Sequence, residues 1–470
     1  MAKPTVIILA AGEGTRMRSS LPKVLHPVCG RAMIGHVLAA ATGGTAVFAP
    51  GEVMVVTAPG DDAVRAAVAP ARSTIQDKPR GTGDAVRAGL DACKSTDGPV
   101  VIAYGDMPLI TAGVFARLMD ALFDGGPGTG PGVAILGFEM DGDHAYGRLV
   151  MGADGGLERI VEAGDADAEE KSITLCNSGL MAASSGDFLA QLVARLGTDN
   201  AKGEYYLTEI VALARQDGVP VAVVKAEADD VLGVNTRADL AVAEATMQTR
   251  LRGAAMAAGA TLIDPTTVYL SFDTSIGTDV VIGPHVWFGP GVCVGDGVEI
   301  RPYCHMEGAV IAEDAIIGPF SRLRPGAEIG AGAHIGNFVE IKAARVETGA
   351  KINHLAYVGD ARVGADANIG AGTITCNYDG FDKHMTDIGA GAFIGSNVAL
   401  VAPLVVGDGA VIGAGSVITG DVPADAMAIA RGKQKSVPGG GARFRARKST
   451  AASNSAASNK VAGKTAGKEG

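Results

Sequence analysis

From Ile276 to Ile418 the chain places a large apolar residue at every sixth position, a step that few folds can use. Ile276, Ile282, Phe288, Val294, Ile300 and Met306 keep it, as do Ile317, Leu323, Ile329, Ile335 and Ile341. Ile388, Ile394, Leu400, Val406, Ile412 and Ile418 resume it later. Six is a multiple of the strand period and not of the helical 3.6, so positions i and i−2 share one inward face of an extended chain. The position two before is small or β-branched, as at Thr274, Val280, Val286 and Val298. The residue after is repeatedly glycine, as at Gly277, Gly283, Gly289, Gly330 and Gly336, and a corner of positive φ is expected there. A hexad of this kind buries its apolar face only by stacking coil on coil, which predicts a parallel β-helix.

The step slips by one residue between Met306 and Ile311, between Ile341 and Val346, and between Val358 and Val363. Between Thr375 and Ile388 the segment CNYDGFDKHMTD replaces the expected hexads. Stacking does not need such an insertion, and insertions that project from one face of a repeat protein often build its site.

Upstream, residues 4 to about 237 alternate apolar strand runs (TVIILAA, EVMVVTA, PVVIAYGD) with amphipathic stretches (MIGHVLAAA, DDAVRAAVA, DAVRAGLDAC). That alternation predicts an α/β domain with a mostly parallel sheet, in which ligands sit beyond the carboxyl ends of the strands. Residues 238–258 repeat Leu240, Ala243, Met247, Leu251 and Ala254 at three and four, which predicts a helix linking the two domains. The β-helix domain is expected over 259–437. Residues 438–470 are rich in Gly, Ser, Ala, Asn and Lys and too poor in apolar residues to fold, which predicts a disordered basic tail.

Charge and composition narrow the function. The net charge is −11, but residues 431–470 hold ten Lys and Arg against one Glu, leaving a body at about −20. An acidic body argues against a nucleic-acid surface. Cys29, Cys93, Cys176, Cys293, Cys304 and Cys376 form no CxxC pair and no compact framework, which suits reduced thiols in a cytoplasm. The opening MAKPTVIILAAG runs straight into a charged glycine loop and lacks the apolar length of a signal peptide. Residues 388–407 carry no charge over a membrane-spanning length, but their hexads, glycines and Pro403 assign them to solenoid coils.

Two strand-end loops stand out in the first domain. Leu9, Ala10, Ala11, Gly12, Gly14 and Arg16, with Lys23 following, combine glycines that admit an anion to backbone amides with two cations. Taken as a bare glycine loop, this is equally a tight structural turn; it is neither a P-loop nor a GxGxxG fingerprint. Tyr104, Gly105 and Asp106 end the strand PVVIA. Asp106 is placed either to cap the next helix or to give Mg²⁺ a hard oxygen ligand.

Taken whole, LAAGEGTRM with PK a few residues on resembles the signature of sugar-nucleotide pyrophosphorylases. With GPFSRLRPGAEIG, GNFVEIKAARV, INHLAYVGDA and NIGAGTITCNYDG downstream, the chain up to about residue 432 resembles a bacterial family. This is the bifunctional N-acetylglucosamine-1-phosphate uridyltransferase/glucosamine-1-phosphate acetyltransferase family. The resemblance implies a Rossmann-like nucleotidyltransferase domain, a left-handed β-helix and a cytoplasmic homotrimer with no membrane span. It implies acetylation of glucosamine 1-phosphate by acetyl-CoA, then transfer of UMP from UTP to N-acetylglucosamine 1-phosphate, supplying peptidoglycan and lipopolysaccharide precursors. Carried over residue by residue, Asp106 and Asn235 hold Mg²⁺, and Arg16 and Lys23 stabilise the triphosphate. Gln76, Gly81 and Thr82 contact the nucleobase, while Gly147, Glu162 and Asn177 contact the sugar. In the second domain the resemblance makes His354 the base. Arg324 and Lys342 take the sugar phosphate, and Tyr357 and Asn368 the sugar. Ala371, Asn377 and Tyr378 lie near the acyl group, and Lys383, Ser396, Ala414 and Arg431 on the coenzyme side. INHLAYVGD departs from the family at the residue before the histidine, which is commonly glycine, and the tail is longer and unlike the family's.

Two other readings compete. One is a single-activity nucleotidyltransferase whose β-helix only assembles or regulates subunits, against which stand His354, Lys342, Arg324 and the inserted loop. The other is a structural solenoid, which Asp106, Lys23 and the strand-end loops oppose. A zinc-dependent carbonic anhydrase would also use a β-helix, but no histidine pair here has close ligand spacing.

Overall fold

The computed structural model describes residues 3–12, 14–43, 48–123, 130, 132–142 and 144–465, the last thirteen as backbone alone. Glu13 of the glycine loop and the final five residues of the tail lie outside the described residues.

The first domain is built on strand β1 (Thr5–Ala10), whose six residues are all buried because both faces of the sheet are covered. Around it stand β2 (Glu52–Thr57), β3 (Arg72–Ile75), β4 (Val100–Tyr104), β5 (Val133–Glu139), β8 (Leu175–Ala183) and β9 (Val221–Ala226), with β6 (Arg148–Met151) and β7 (Leu157–Val161) as a hairpin at the side. The order is β9-β5-β8-β4-β1-β2-β3. Every pair along it is parallel except those made by β8, which runs against β4 and β5. Helices α1 (Met33–Thr42), α2 (Asp62–Val68) and α4 (Ala112–Phe123) pack one face, α3 (Thr82–Ala92), α5 (Gly186–Val193) and α6 (Ile210–Gln216) the other. Parallel register sets Ala10 beside Thr57 and Leu9 beside Tyr104, so the loops after β1, β2 and β4 leave by one edge.

Helix α7 (Arg237–Ala257) starts on a capping box in which Thr236 accepts from the Asp239 amide and the Asp239 carboxylate accepts from the Thr236 amide. Its Leu240, Ala243, Met247 and Leu251 pack with Val28, Met33, Leu109 and Phe272. Ala254, expected on that face, is exposed, and Leu251 and Ala255 turn toward the β-helix core instead. Gln248 is buried, its amide nitrogen donating to Leu270 O (2.8 Å) and its oxygen accepting from Leu270 N (2.9 Å). It also reaches Glu244 and the thiol of Cys29, so one side chain ties both domains to the linker.

From Thr261 to Ala428 the chain winds into a three-faced prism of short parallel strands, with coils 17 or 18 residues apart except at the insertion and at the two ends, where Ile282 follows Leu262 by 20 and Ala428 follows Ile412 by 16. Ile282, Ile300, Ile317, Ile335, Ile352, Ile369, Ile394 and Ile412 stand in register on one face as a column of isoleucine. Each is buried, a gain of about 1.5–3 kcal/mol per side chain before entropy is counted. The one-residue slips are coils of 17, as Ile300 to Ile317 and Ile335 to Ile352 show.

Gly318 excepted, the glycine after each apolar residue does not supply the positive φ expected of it. Positive φ falls mostly two positions further on, at Asp279, His285, Gly291, Gly297, Tyr303, Asp314 and Phe320. The glycine is required by the coil above it: a Cβ on Gly336 would lie 2.0 Å from the Asn353 carbonyl oxygen, and one on Gly330 2.7 Å from Glu347 C. At one corner the left-handed positions are bulky. His285, Tyr303, Phe320 and Phe338 stack in sequence at 4.9, 4.8 and 5.1 Å, and Leu355 continues the line. All five side chains are exposed or nearly so, and bulky residues at φ > 0 are strained.

The tail also departs from expectation. Where the sequence predicts disorder, helix α8 runs over Gly440–Thr465, with residues 441–452 all exposed. Alanine, arginine and lysine carry high helix propensity, so the helix forms without an apolar face; it buries none of the described side chains.

Candidate active sites

At the strand-end edge of the first domain lies a cavity of about 460 Å³. Leu9, Ala10, Ala11, Gly12, Lys23, Gln76, Gly81, Thr82, Tyr104 and Asp106 line it. Val24, Pro79, Ala85 and Glu204 line it too. None of these four is singled out in the sequence: Val24, Pro79 and Ala85 look like any core or turn residue, and Glu204 like any surface carboxylate. A Cβ on Gly105 would stand 3.3 Å from Ile34 and from Val24, so a side chain there would press on the wall residue Val24.

Lys23 donates from Nζ to Asp106 Oδ2 at 2.5 Å and to Asn235 Oδ1 at 3.1 Å. Residues from three distant stretches thus meet at one cation. Asn235 is held from behind, its backbone N–H donating to the Asp239 carboxylate of the α7 cap (2.9 Å). A carboxylate and an amide oxygen turned to one positive centre are the donors that suit Mg²⁺, which commonly takes one or two protein oxygens and completes its shell with water and substrate phosphates. No group of three His, Cys, Asp or Glu side chains able to hold a metal occurs among the described residues.

Tyr104 packs against the backbone of Gly179, where a Cβ would stand 2.8 Å from the ring, and burial raises its phenol pKa well above the ordinary value. Glu162 accepts from Thr208 Oγ1 (3.0 Å), and burial raises its carboxyl pKa. Asn177 is buried beside Gly147, its backbone N–H donating to the Gly147 carbonyl (2.8 Å). Arg16 sits on an exposed 3₁₀ turn and does not line the cavity.

The second constellation lies on the β-helix. Strand Lys351–His354 stacks in register on His334–Asn337, which sets His354 over Asn337. His354 Nδ1 lies 2.6 Å from Asn337 Oδ1. With an oxygen as partner, Nδ1 carries the proton and Nε2 keeps a free lone pair. Asn337 was not singled out in the sequence, because its register with His354 is a property of the coil length. Arg324 pairs with Glu340 (2.9 Å). Lys342 stands 3.9 Å from Asp360, whose carboxylate also accepts from Asn377, and Asn377 reaches Tyr357 Oη at 3.5 Å. The sugar-side residues Lys342 and Tyr357 therefore meet the inserted loop through Asp360 and Asn377.

A ladder of hydrogen bonds runs from there toward the C-terminal end. Gly372 N donates to His354 O, Asn397 N to Ala371 O, Gly415 N to Ser396 O and Arg431 Nη1 to Ala414 O. His354, Ala371, Ser396, Ala414 and Arg431 thus follow one corner of the prism. Asn368 sits on the neighbouring strand, in register with Lys351 and Phe393. The Lys342 ammonium beside Lys383 lowers the pKa of the latter. Tyr378 turns its hydroxyl back to Gly380 O (2.7 Å), and Asp379 closes the same loop, held below the usual carboxylate range by the Asp382 amide and by His384. His354 is exposed, so this site is an open face of the single chain.

Comparison with known proteins agrees with both halves. The MobA-like NTP transferase domain matches residues 6–145, and the bacterial transferase hexapeptide of six repeats matches residues 308–343 and 385–420. The chain is 56% identical over 445 residues to the bifunctional protein GlmU of Paramagnetospirillum magneticum, covering 95% of this chain and 97% of that one. It is 55% identical over 446 residues to that of Rhodospirillum rubrum, covering 95% and 98%. The corresponding protein of a Bradyrhizobium species is 51% identical over 444 residues, covering 93% and 96%. Among solved structures, CMP:2-keto-3-deoxy-manno-octonic acid synthetase complexed with CTP covers 53% of this chain and all of its own, at 21% identity and a TM-score of 0.39. The chain therefore belongs to the bifunctional GlmU family, an enzyme that joins a nucleotidyltransferase domain acting in uridylyl transfer to a left-handed β-helix acting in acetyl transfer.

Proposed function

We propose that the two activities are carried by two separate constellations, Lys23–Asp106–Asn235 and His354–Asn337, and that the product of the second is the substrate of the first. The observation that carries this reading is their placement, one at the strand ends of the sheet and one on a coil of the prism.

In acetyl transfer, Arg324 and Lys342 neutralise the phosphate of glucosamine 1-phosphate and fix the sugar, with Tyr357 and Asn368 beside it. His354 Nε2 takes a proton from the amine as nitrogen bonds to the thioester carbonyl carbon of acetyl-CoA. The C–S bond then breaks, and the proton passes to the departing thiolate of the coenzyme. The corner formed by Ala371, Ser396, Ala414 and Arg431, with Asn377, Tyr378 and Lys383 of the inserted loop, is the path assigned to the coenzyme.

In uridylyl transfer, the phosphate dianion of N-acetylglucosamine 1-phosphate attacks the α-phosphorus of UTP and pyrophosphate leaves. Lys23 counters the growing charge while backbone amides of the Ala11–Gly12 loop face the phosphates, and Arg16 on the exposed turn is placed to close over them. Asp106 and Asn235 are the residues that would hold Mg²⁺, which when bound neutralises and orients the phosphate oxygens. Gln76, Gly81 and Thr82 receive the base, and Gly147, Glu162 and Asn177 the sugar.

The strained, exposed ladder of Tyr303, Phe320, Phe338 and Leu355 beside His354 supports a homotrimer in which the open acetyl site is covered by a second copy. Six free cysteines suit a cytoplasmic setting, and among the described residues no helix is long and apolar enough to cross a membrane. The domain limits proposed are 1–237, 238–258, 259–437 and 438–470. The test is direct: the purified chain should release coenzyme A thiol from acetyl-CoA plus glucosamine 1-phosphate, and pyrophosphate from UTP plus N-acetylglucosamine 1-phosphate. Removal of divalent metal should stop only the second. Failure of either release in the folded protein refutes the two-site reading.

A further inference from the structure

Gln76 lines the cavity of the first domain and Asp84 stands behind it, both buried at 6% and 7% exposed, and nothing above gives Asp84 a role. Asp84 lies in the first turn of α3. It accepts from Gln76 Nε2 at 3.1 Å and from Arg80 Nη2 at 3.0 Å. Gln76 Nε2 also donates to the Gly81 carbonyl at 3.1 Å. Both partners of the Gln76 amide nitrogen, a carboxylate and a carbonyl, can accept and cannot donate. Turning the amide over would set an oxygen against two oxygens in a buried place, so only one orientation is tolerated. The orientation that remains leaves Gln76 Oε1 without a donor among the described residues, on a side chain that lines the cavity. Gly81 also lines it, and its N–H has no acceptor among the described residues.

We propose that Asp84 is a positioning residue for nucleobase choice: it holds the Gln76 amide so that the base meets an oxygen acceptor next to the Gly81 N–H donor. This rests on the uridyltransferase reading given above. An acceptor beside a donor matches the N3–H and O4 edge of uracil. Cytosine presents the reverse, a lone pair at N3 and an amino group at C4, and would bring two like pairs together. Asp84 itself touches no nucleotide; it acts through Gln76.

The test uses the full-length enzyme with Mg²⁺ and N-acetylglucosamine 1-phosphate, and compares kcat/KM for UTP and for CTP. Asp84→Ala should lower the UTP-to-CTP ratio by about tenfold, the worth of one orienting hydrogen bond. Asp84→Asn keeps the size of the side chain but can turn its own nitrogen toward Gln76, so it should also lower the ratio. Binding of UDP and CDP, measured by calorimetry without turnover, should lose discrimination in parallel. A residue with only a structural role would reduce both nucleotides alike, so an unchanged ratio in both variants overturns the assignment of Asp84. Absence of uridylyl transfer in the unmodified enzyme would instead overturn the reading on which the assignment rests, and the assignment with it.

Discussion

The hydrogen bond between His354 and Asn337 allows the acetyltransferase half to be tested quantitatively. Asn337→Leu removes the amide, keeps the bulk and leaves the backbone ladder between strands His334–Asn337 and Lys351–His354 untouched. The lost contact is a 2.6 Å bond that fixes the proton on Nδ1. Such a bond is worth about 0.5–1.5 kcal/mol net, which corresponds to a loss of about two- to twelvefold in turnover as the imidazole samples the unproductive tautomer and other rotamers. Removing the base itself, His354→Ala, should cost about 10² to 10⁴. The two losses should not add, because a partner of His354 has nothing to orient once the ring is gone. The assay is thiol release from acetyl-CoA at saturating glucosamine 1-phosphate, with KM for acetyl-CoA measured beside it and expected to stay near normal. Uridylyl transfer by the same preparations should be unchanged. A loss in Asn337→Leu equal to that in His354→Ala, or no loss at all, would refute the argument that Asn337 selects the tautomer.

Four further outcomes follow from the geometry. Asp106→Ala should abolish uridylyl transfer by removing an oxygen ligand and leave acetyl transfer nearly intact; loss of both in a folded mutant would show that the sites are coupled. Glu162 has a carboxyl pKa raised by burial, so its contribution to stability is fully present below the ordinary glutamate pKa and is lost as pH rises through the raised one. Glu162→Gln should therefore gain more in thermal midpoint at pH 8 than at pH 4, and an equal shift at both would contradict this. Replacing Phe320 and Phe338 together by Ser should weaken self-association measured by sedimentation while the β-helix still forms; an unchanged trimer would move the interface elsewhere. Deleting residues 438–470 should preserve assembly and change KM for acetyl-CoA only modestly, with any change shrinking at high salt; dissociation of the assembly would mark the segment as structural.

The hexads made the second domain legible because a period of six admits a single inward face, and the buried pairs Val280/Ile282, Val286/Phe288 and Val298/Ile300 follow it. The strand-end loops of the first domain were legible for a similar reason: Gly12, Lys23, Asp106 and Gln76 come from different stretches, but parallel strands deliver their carboxyl ends to one edge. What was hidden depends on contacts between coils or between domains. The glycine after each apolar residue is a matter of steric clearance from the next coil, which periodicity alone cannot separate from a turn. Asn337 and Asp84 act through partners seventeen and eight residues away, and Gln248 is a buried polar residue on a helix whose apolar spacing gave no hint of it. The tail's shortage of apolar residues bears on packing and leaves local helix formation open.

The spacing of the coils also bears on how the chain reaches this structure. In the first domain β1 must find β4, so residues about 95 apart, Thr5 and Val100, have to meet before the central pairing exists. In the prism each strand pairs with one 16 to 20 residues further on, and only the coil carrying the insertion reaches 25, as from Ile369 to Ile394. An all-β domain is usually slow to form because its contacts are distant in sequence, whereas here loop closure is short and repeated, so formation can start at any pair of neighbouring coils and spread in both directions. The longest closures within the prism, such as Arg362 with Asp387 and Ile369 with Ile394, are those that span the inserted loop, so the coil that carries the loop of the acetyl site forms where propagation from either end has to cross its widest gap.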